Sequence, residues 1–265
     1  MTDLRLPPGE AVTPERAGWR YLSFFTRRID RAVQVGEHGT EAAIVILAGG
    51  LRVDGVAVPG RASVWEGLPS AVYLPAGVVA TVEPLEGAAE VAVAEAPAEA
   101  RGSAPVVIGP SQVRVEVRGA GNATRQINHI ITPEFGAHRL EVVEVYTPGG
   151  NWSSWPPHKH DTDDMPREAI LEEIYCYRFR RAAAWGVQRV YGEQRDSVMV
   201  VRSGEVVLVP DGYHPFTAIH GEDAYYLNAL AGDRRTMACS FDPAFAPVMD
   251  EWGEMEPDPR VPLVR

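Results

Sequence analysis

Apolar residues in this chain fall in short runs, and turn residues break nearly every one of them. Ala71-Val-Tyr-Leu74 stops at Pro75-Ala-Gly77, and Val206-Val-Leu-Val209 stops at Pro210-Asp-Gly212. Short β-branched runs bounded in this way predict strands rather than helices. In the first half the pattern predicts strands over residues 20–25, 43–47, 62–65, 71–74, 78–83 and 89–95. In the second half it predicts them over 139–146, 173–179, 187–191, 197–201, 206–209, 215–219, 224–229 and 236–241. Gly49-Gly50, Asp54-Gly55 and Pro59-Gly60 supply turns between them. Helix is expected only as single turns, over 14–19 and 242–248. The fold class is therefore all-β.

The stretch from Glu95 to Pro105 is rich in Ala and Pro and lacks alternation, so it reads as a linker. It predicts two domains, residues 1–112 and 113–265. Ser70–Val79 and Glu205–His214 share one plan, an apolar strand closed by Pro-x-Gly, with Val79 opposite His214. Such an internal match predicts a duplicated barrel, a single large sandwich being the alternative.

Composition narrows the function. The 25 Gly and 22 Pro among 265 residues suit turns and exclude a helical bundle. A hydrophobic share of 45% supports a real core. The formal charge of −11 repels phosphate backbones and argues against a nucleic-acid partner. The two cysteines, Cys176 and Cys239, form no framework. No apolar leader opens the chain, and the apolar stretch 42–51 is too short to span a bilayer. These features predict a cytoplasmic protein with a small-molecule substrate and no membrane partner.

Of seven histidines, only His158 and His160 have a telling spacing. Residues i and i+2 of a strand point to one face, so a His-x-His pair aims two imidazoles at one point. Glu173 opens the next predicted strand, and His214 follows the Pro210-Asp-Gly212 turn. Three imidazoles and a carboxylate would hold one divalent transition ion, with positions open to substrate. Zn, Mn, Fe, Co and Ni all suit these ligands. His38, His129, His138 and His220 show no partner pattern.

This order resembles the cupin superfamily. Gly150, His158, His160, Glu173 and Gly186 match its first motif, and Gly204, Pro210, Gly212 and His214 its second. Two departures stand out: a longer insert between His160 and Glu173, and one fewer residue between Gly212 and His214. The insert, Asp161-Thr-Asp-Asp-Met-Pro-Arg-Glu168, reads as an acidic loop beside the site mouth. Longer phrases resemble the bacterial 5-deoxy-glucuronate isomerase family of myo-inositol catabolism more closely. They are Thr147-Pro-Gly-Gly-Asn-Trp-Ser-Ser-Trp-Pro-Pro-His-Lys-His-Asp161, Leu171-Glu-Glu-Ile-Tyr-Cys-Tyr-Arg-Phe179, Val209-Pro-Asp-Gly-Tyr-His-Pro215 and Tyr225-Tyr-Leu-Asn-Ala-Leu-Ala-Gly232. That family usually has Tyr where this chain has Cys176.

The resemblance implies a bicupin, two double-stranded β-helix (jelly-roll) barrels, with the metal in the C-terminal one. The N-terminal turn at Pro75-Ala-Gly77 has no following His, which fits a degenerate barrel without metal. The implied reaction converts 5-deoxy-D-glucuronate to 5-dehydro-2-deoxy-D-gluconate, an aldose–ketose isomerisation by a metal-dependent enzyme. A cupin dioxygenase and a non-catalytic sugar-acid-binding cupin are the alternatives. Between Glu172 and Glu173, alternation and the family pattern favour Glu173 as ligand. Tyr175 and Tyr177 share its face and are the catalytic candidates. Arg189, Tyr213, Tyr226 and Asn228 are candidates to bind substrate. Cupins dimerise through sheet faces and edges, so a homo-oligomer is implied as well.

Overall fold

The structure, a computed structural model, describes residues 3–99 and 101–265. Most of the predicted runs are strands. Ala71–Leu74 and Val206–Val209 have the predicted bounds, whereas 43–47 is the middle of the longer Thr40–Val53. The run at 62–65 is turn, and the strand lies just before it, Val56–Arg61. Asp54 and Gly55 cause this. Both have positive φ, 45° and 84°, and so close a two-residue hairpin that pairs Val53 with Val56. The run at 236–241 shrinks to Ser240–Phe241, and the expected helix at 242–248 forms later, as Val248–Glu251. Arg5–Leu6, Val106–Ile108, Arg114–Arg118 and Arg125–Ile131 are strands that the pattern missed. No helix among the described residues is long and apolar enough to cross a membrane.

Two large sheets share one plan. The first runs Ser23–Ile29, Ala89–Pro97, Thr40–Val53, Ala71–Leu74, Val106–Ile108. The second runs Leu140–Thr147, Ala224–Ala231, Glu172–Phe179, Val206–Val209, Arg5–Leu6, and continues beyond Leu140–Thr147 with Arg125–Ile131 and Arg114–Arg118. These orders correspond strand for strand, as a duplication requires. The edge strand Arg5–Leu6 starts the chain yet pairs with the second sheet. Trp152–Ser153, Phe216–Ala218, Trp185–Tyr191 and Asp196–Arg202 form the smaller sheet of the second half.

Register makes the comparison residue-specific. Ala42 pairs with Leu74, just before Pro75-Ala-Gly77, and Glu173 pairs with Val209, just before Pro210-Asp-Gly212. Ala42 therefore occupies the place of Glu173, and Glu41 that of Glu172. The two glutamates do equivalent work. Glu41 accepts the backbone N–H groups of His138, Arg139 and Leu140 at 2.7, 2.6 and 2.9 Å. Glu172 accepts those of Arg20, Tyr21 and Leu22 at 2.6, 3.0 and 2.8 Å. Each half thus fixes a segment of the other through one carboxylate.

The halves also share a core. One buried cluster holds Phe24, Ala43 and Tyr73 from the first together with Ile127, Val142 and Tyr225 from the second. At its centre Arg61 is paired with Glu144, both side chains almost fully buried. Tyr225 donates to Glu144 at 2.9 Å, and Tyr146 donates to Val64 O at 2.5 Å. A second cluster, including Ile44, Ile46, Leu51 and Val72, fills the first barrel alone.

Candidate metal centre

Glu172–Phe179 is an interior strand, flanked by Val206–Val209 and Ala224–Ala231. Its alternation sends Glu173 to the face opposite Glu172. His160, Glu173 and His214 converge there, with one ligand atom of each within 4.8 Å of the others. Glu173 Oε2 lies 3.0 Å from His160 Nε2 and 3.2 Å from His214 Nε2. His158 stands beside them, its ring centroid 4.7 Å from that of His214 and 6.5 Å from that of His160. Its strand, His158–Lys159, is held by pairing His158 with Phe241.

Each imidazole is oriented from behind. The Nδ1 of His158 meets Pro156 O at 3.3 Å, that of His160 meets Leu171 O at 2.9 Å, and that of His214 meets Gly212 O at 2.9 Å. A carbonyl only accepts, so each Nδ1 carries the hydrogen, which leaves Nε2 as the nitrogen of each ring that can ligate an ion. Fixing the far nitrogen in this way is how proteins orient metal-binding histidines. His214 Nε2 is buried and has no hydrogen-bond partner. A lone pair on that nitrogen, 3.2 Å from a Glu173 carboxylate oxygen, calls for a cation between them. Two imidazole nitrogens and a carboxylate converge here with His158 beside them, a donor set that suits a divalent transition ion.

Burial pushes His158 and His214 down to about 3, with Glu173 opposing the shift at His214. Both are neutral at physiological pH, as metal ligation needs. For His160 burial acts the same way, but the hydrogen bond and charge of Glu173 outweigh it and raise its affinity for a proton. Gln188 steadies the site from inside the barrel. Its Nε2 donates to the backbone oxygens of His214 and Pro215, and its Oε1 accepts from Tyr177.

The insert between His160 and Glu173 is a tethered loop. Glu168 is buried and accepts from Asp161 N, Thr162 N and Lys159 Nζ at 2.8, 2.9 and 2.8 Å. Lys159 consequently points away from the ligand cluster, as a residue between two inward ones must. Asp161 also accepts from Gly212 N at 2.7 Å, two residues before His214.

A family model described as KduI/IolB family matches residues 8–248. The chain belongs to the KduI/IolB family. It is 42% identical over 259 residues to a 5-deoxy-glucuronate isomerase of Geobacillus kaustophilus, covering 90% of each chain. It is 38% identical over 255 residues to one of Listeria monocytogenes, covering 90% of this chain and 93% of that one. Among solved structures, an IolB-like protein from Salmonella typhimurium superposes with a TM-score of 0.87 at 33% identity, over 93% of this chain and 99% of that one. Oxalate decarboxylase from Lactobacillus farciminis superposes at 0.65 with 12% identity, over 91% of this chain and 89% of that one, a likeness of fold alone. The fold is the bicupin of this family, two jelly-roll barrels.

A cavity of about 310 Å³ opens at the cluster, lined by His158, His160 and Glu173. That volume is at the small end of the range for ligand sites, roughly 300–1,000 Å³. Met237, Phe241, Met249 and Trp252 from the C-terminal segment form an apolar wall. The other sequence-based candidates are not among its lining. Tyr177 gives its hydroxyl to Gln188. Tyr226 donates to Ser153 at 3.1 Å, and Asn228 donates to Ile174 O at 3.0 Å. Tyr175 lies nearer, its ring 6.0 Å from that of His214, and its hydroxyl is 2.8 Å from Ser154 Oγ. Tyr213 stacks on Tyr191 at a different surface pocket. Arg189 is bonded to Asp196 at 2.8 Å and stacks over Tyr191 at 4.0 Å, on the outer face of its strand.

Sequence reading missed two charged residues here. Arg125 and Arg118 both line the cavity. Glu141 is the other kind of omission. It pairs in register with Leu230, which in turn pairs with Glu173, so the three side chains share a face across three strands. Glu141 is 1% exposed, and neither oxygen has a hydrogen-bond partner. Arg125 and Glu141 each lie in a strand that is buried throughout, whereas Arg118 ends an exposed one.

Burial raises the Glu141 carboxyl to about 7. The fold therefore favours its neutral form. Its contribution is most favourable below the ordinary carboxylate range and is lost as pH rises towards 7, at a cost on the order of 3 kcal/mol. Glu141→Gln should raise the Tm of metal-free protein at pH 8, with a smaller gain at pH 5. Thermal melts at the two pH values check this, and an equal or negative shift at pH 8 contradicts it.

Proposed function

We propose that the chain is a metal-dependent 5-deoxy-glucuronate isomerase of myo-inositol catabolism, converting 5-deoxy-D-glucuronate to 5-dehydro-2-deoxy-D-gluconate. The observation that carries this is the convergence of His160 Nε2, His214 Nε2 and Glu173 Oε2 beside a small cavity, in a chain of the KduI/IolB family. His158, His160, Glu173 and His214 would hold one divalent ion. When bound, such an ion supplies a Lewis acid that polarises a carbonyl and stabilises the charge developing on its oxygen.

The chain's own residues do the rest. The Nδ1 bonds to backbone carbonyls keep the three imidazoles in one tautomer and one orientation. Met237, Phe241 and Trp252 exclude water from one side of the substrate. The first barrel, over residues 1–112, serves as a scaffold without metal, and residues 113–265 form the working barrel. Ala42 and Val79, where the second half has Glu173 and His214, support that division. On this reading the protein works in the cytoplasm, on a soluble sugar acid.

Turnover of 5-deoxy-D-glucuronate under strict exclusion of oxygen tests the reading. An isomerase gives the ketose product at the same rate with and without oxygen. Strict oxygen dependence would mark a dioxygenase, and binding of sugar acids with no turnover would mark a binding protein.

A further inference from the structure

The cavity that carries the ligand cluster also holds a buried cation with no acidic partner. Arg125 begins the strand Arg125–Ile131, every residue of which is buried, and is itself 6% exposed. Its hydrogen bonds within the protein all leave from Nη1, to Ala123 O at 3.1 Å and Trp155 O at 3.0 Å. Nε and Nη2 make none among the described residues, and no carboxylate lies within ion-pair distance. Burial lowers its affinity for a proton only to about 10, so it remains a cation at neutral pH.

Burying a guanidinium without an ionic partner is costly in general. The two other arginines with a claim on the site are already satisfied. Arg118 shares the cavity, but its Nε is 2.7 Å and its Nη2 3.1 Å from Glu116. Arg189 is committed to Asp196 outside. Arg125 alone of the three keeps an open Nε–Nη2 edge, the pair of donors that matches a carboxylate.

We propose that Arg125 binds the carboxylate of the sugar acid and is the residue that selects uronates over neutral aldoses at this site. This rests on the sugar-acid reading above. The substrate then spans the cavity, with its acid end at Arg125 and its carbonyl end at His158, His160 and Glu173. The strand offset explains the two-ended arrangement. The strand of Arg125 lies three places along the large sheet from the strand of Glu173.

The test compares two ligands on metal-loaded enzyme, 5-deoxy-D-glucuronate and the neutral aldose with CH₂OH in place of its carboxylate. Calorimetry gives Kd for each, and Arg125→Met and Arg125→Lys are set against the parent chain. Loss of a buried charge-assisted pair should raise Kd for the uronate roughly 10–100-fold in Arg125→Met. Kd for the neutral aldose should change less than about threefold on the same scale, and Arg125→Lys should recover part of the uronate affinity. An unchanged uronate Kd overturns the proposal. So does an equal loss for both ligands, which a purely structural role through Trp155 O would give. If Arg125→Met fails to fold, the ratio of the two Kd values in Arg125→Lys decides in the same way. Failure of the isomerase reading looks different: the parent chain binds the uronate and leaves it unconverted, whatever residue 125 does.

Discussion

Glu173→Gln should lose the metal and, with it, nearly all isomerase activity, while Glu172→Gln should keep both. The carboxylate of Glu173 lies between two imidazole nitrogens, 3.0 and 3.2 Å away. An amide there offers no charge and turns one donor toward nitrogen lone pairs. Several kcal/mol of Lewis-acid stabilisation depends on the ion, so kcat/KM should fall by at least about 100- to 1,000-fold. Glu172 faces the other way and holds the amides of Arg20, Tyr21 and Leu22. Its loss should cost stability and leave metal content intact. Elemental analysis of the two purified variants separates them. Metal retained in Glu173→Gln and absent from Glu172→Gln would reverse the ligand assignment.

Arg61→Met should be the most destabilising substitution distant from the site. Arg61 comes from the first half and Glu144 from the second, and both side chains are almost fully buried. Burial opposes the charge on Arg61, but Glu144 more than offsets it and holds the guanidinium protonated. Taking away one partner strands the other charge in the core, which costs about 3–5 kcal/mol. For a chain of this size the fall in Tm is on the order of 10 °C. The double variant Arg61→Met/Glu144→Leu should recover most of it, because two apolar side chains replace a pair that barely outweighs its own desolvation. Thermal or denaturant unfolding of the single and double variants checks this. Additive losses in the double variant contradict the account.

The strands were legible where a run is uniformly apolar and a turn residue closes it. Val206–Val209 with Pro210-Asp-Gly212 is such a case. Legibility failed where a buried strand carries polar residues that only tertiary partners satisfy. Arg125–Ile131 holds Arg, Gln, Asn and His, all buried. Gln126 takes the amide of Leu263 at 2.6 Å, a partner 137 residues away that no local pattern announces. Arg125 was hidden for the same reason.

The ligand cluster was legible because His-x-His, a strand-opening Glu and a turn-placed His each imply a direction. Arg189 misled because Trp185–Tyr191 mixes polar and apolar residues on both faces. Gly186, Gln188 and Val190 turn inward, and that leaves Arg189 outside. Tyr177 does point inward, yet the hydroxyl is committed to Gln188. Direction follows from alternation; availability depends on partners from distant strands.

Metal stripping and reconstitution tests the central claim most directly. Chelator-treated protein should be inactive on 5-deoxy-D-glucuronate without oxygen present. Titration with a divalent transition ion should restore turnover in proportion to occupancy, saturating at one ion per chain, the second barrel's site. Full turnover by stripped protein, or activity that follows a second ion per chain, would contradict the account.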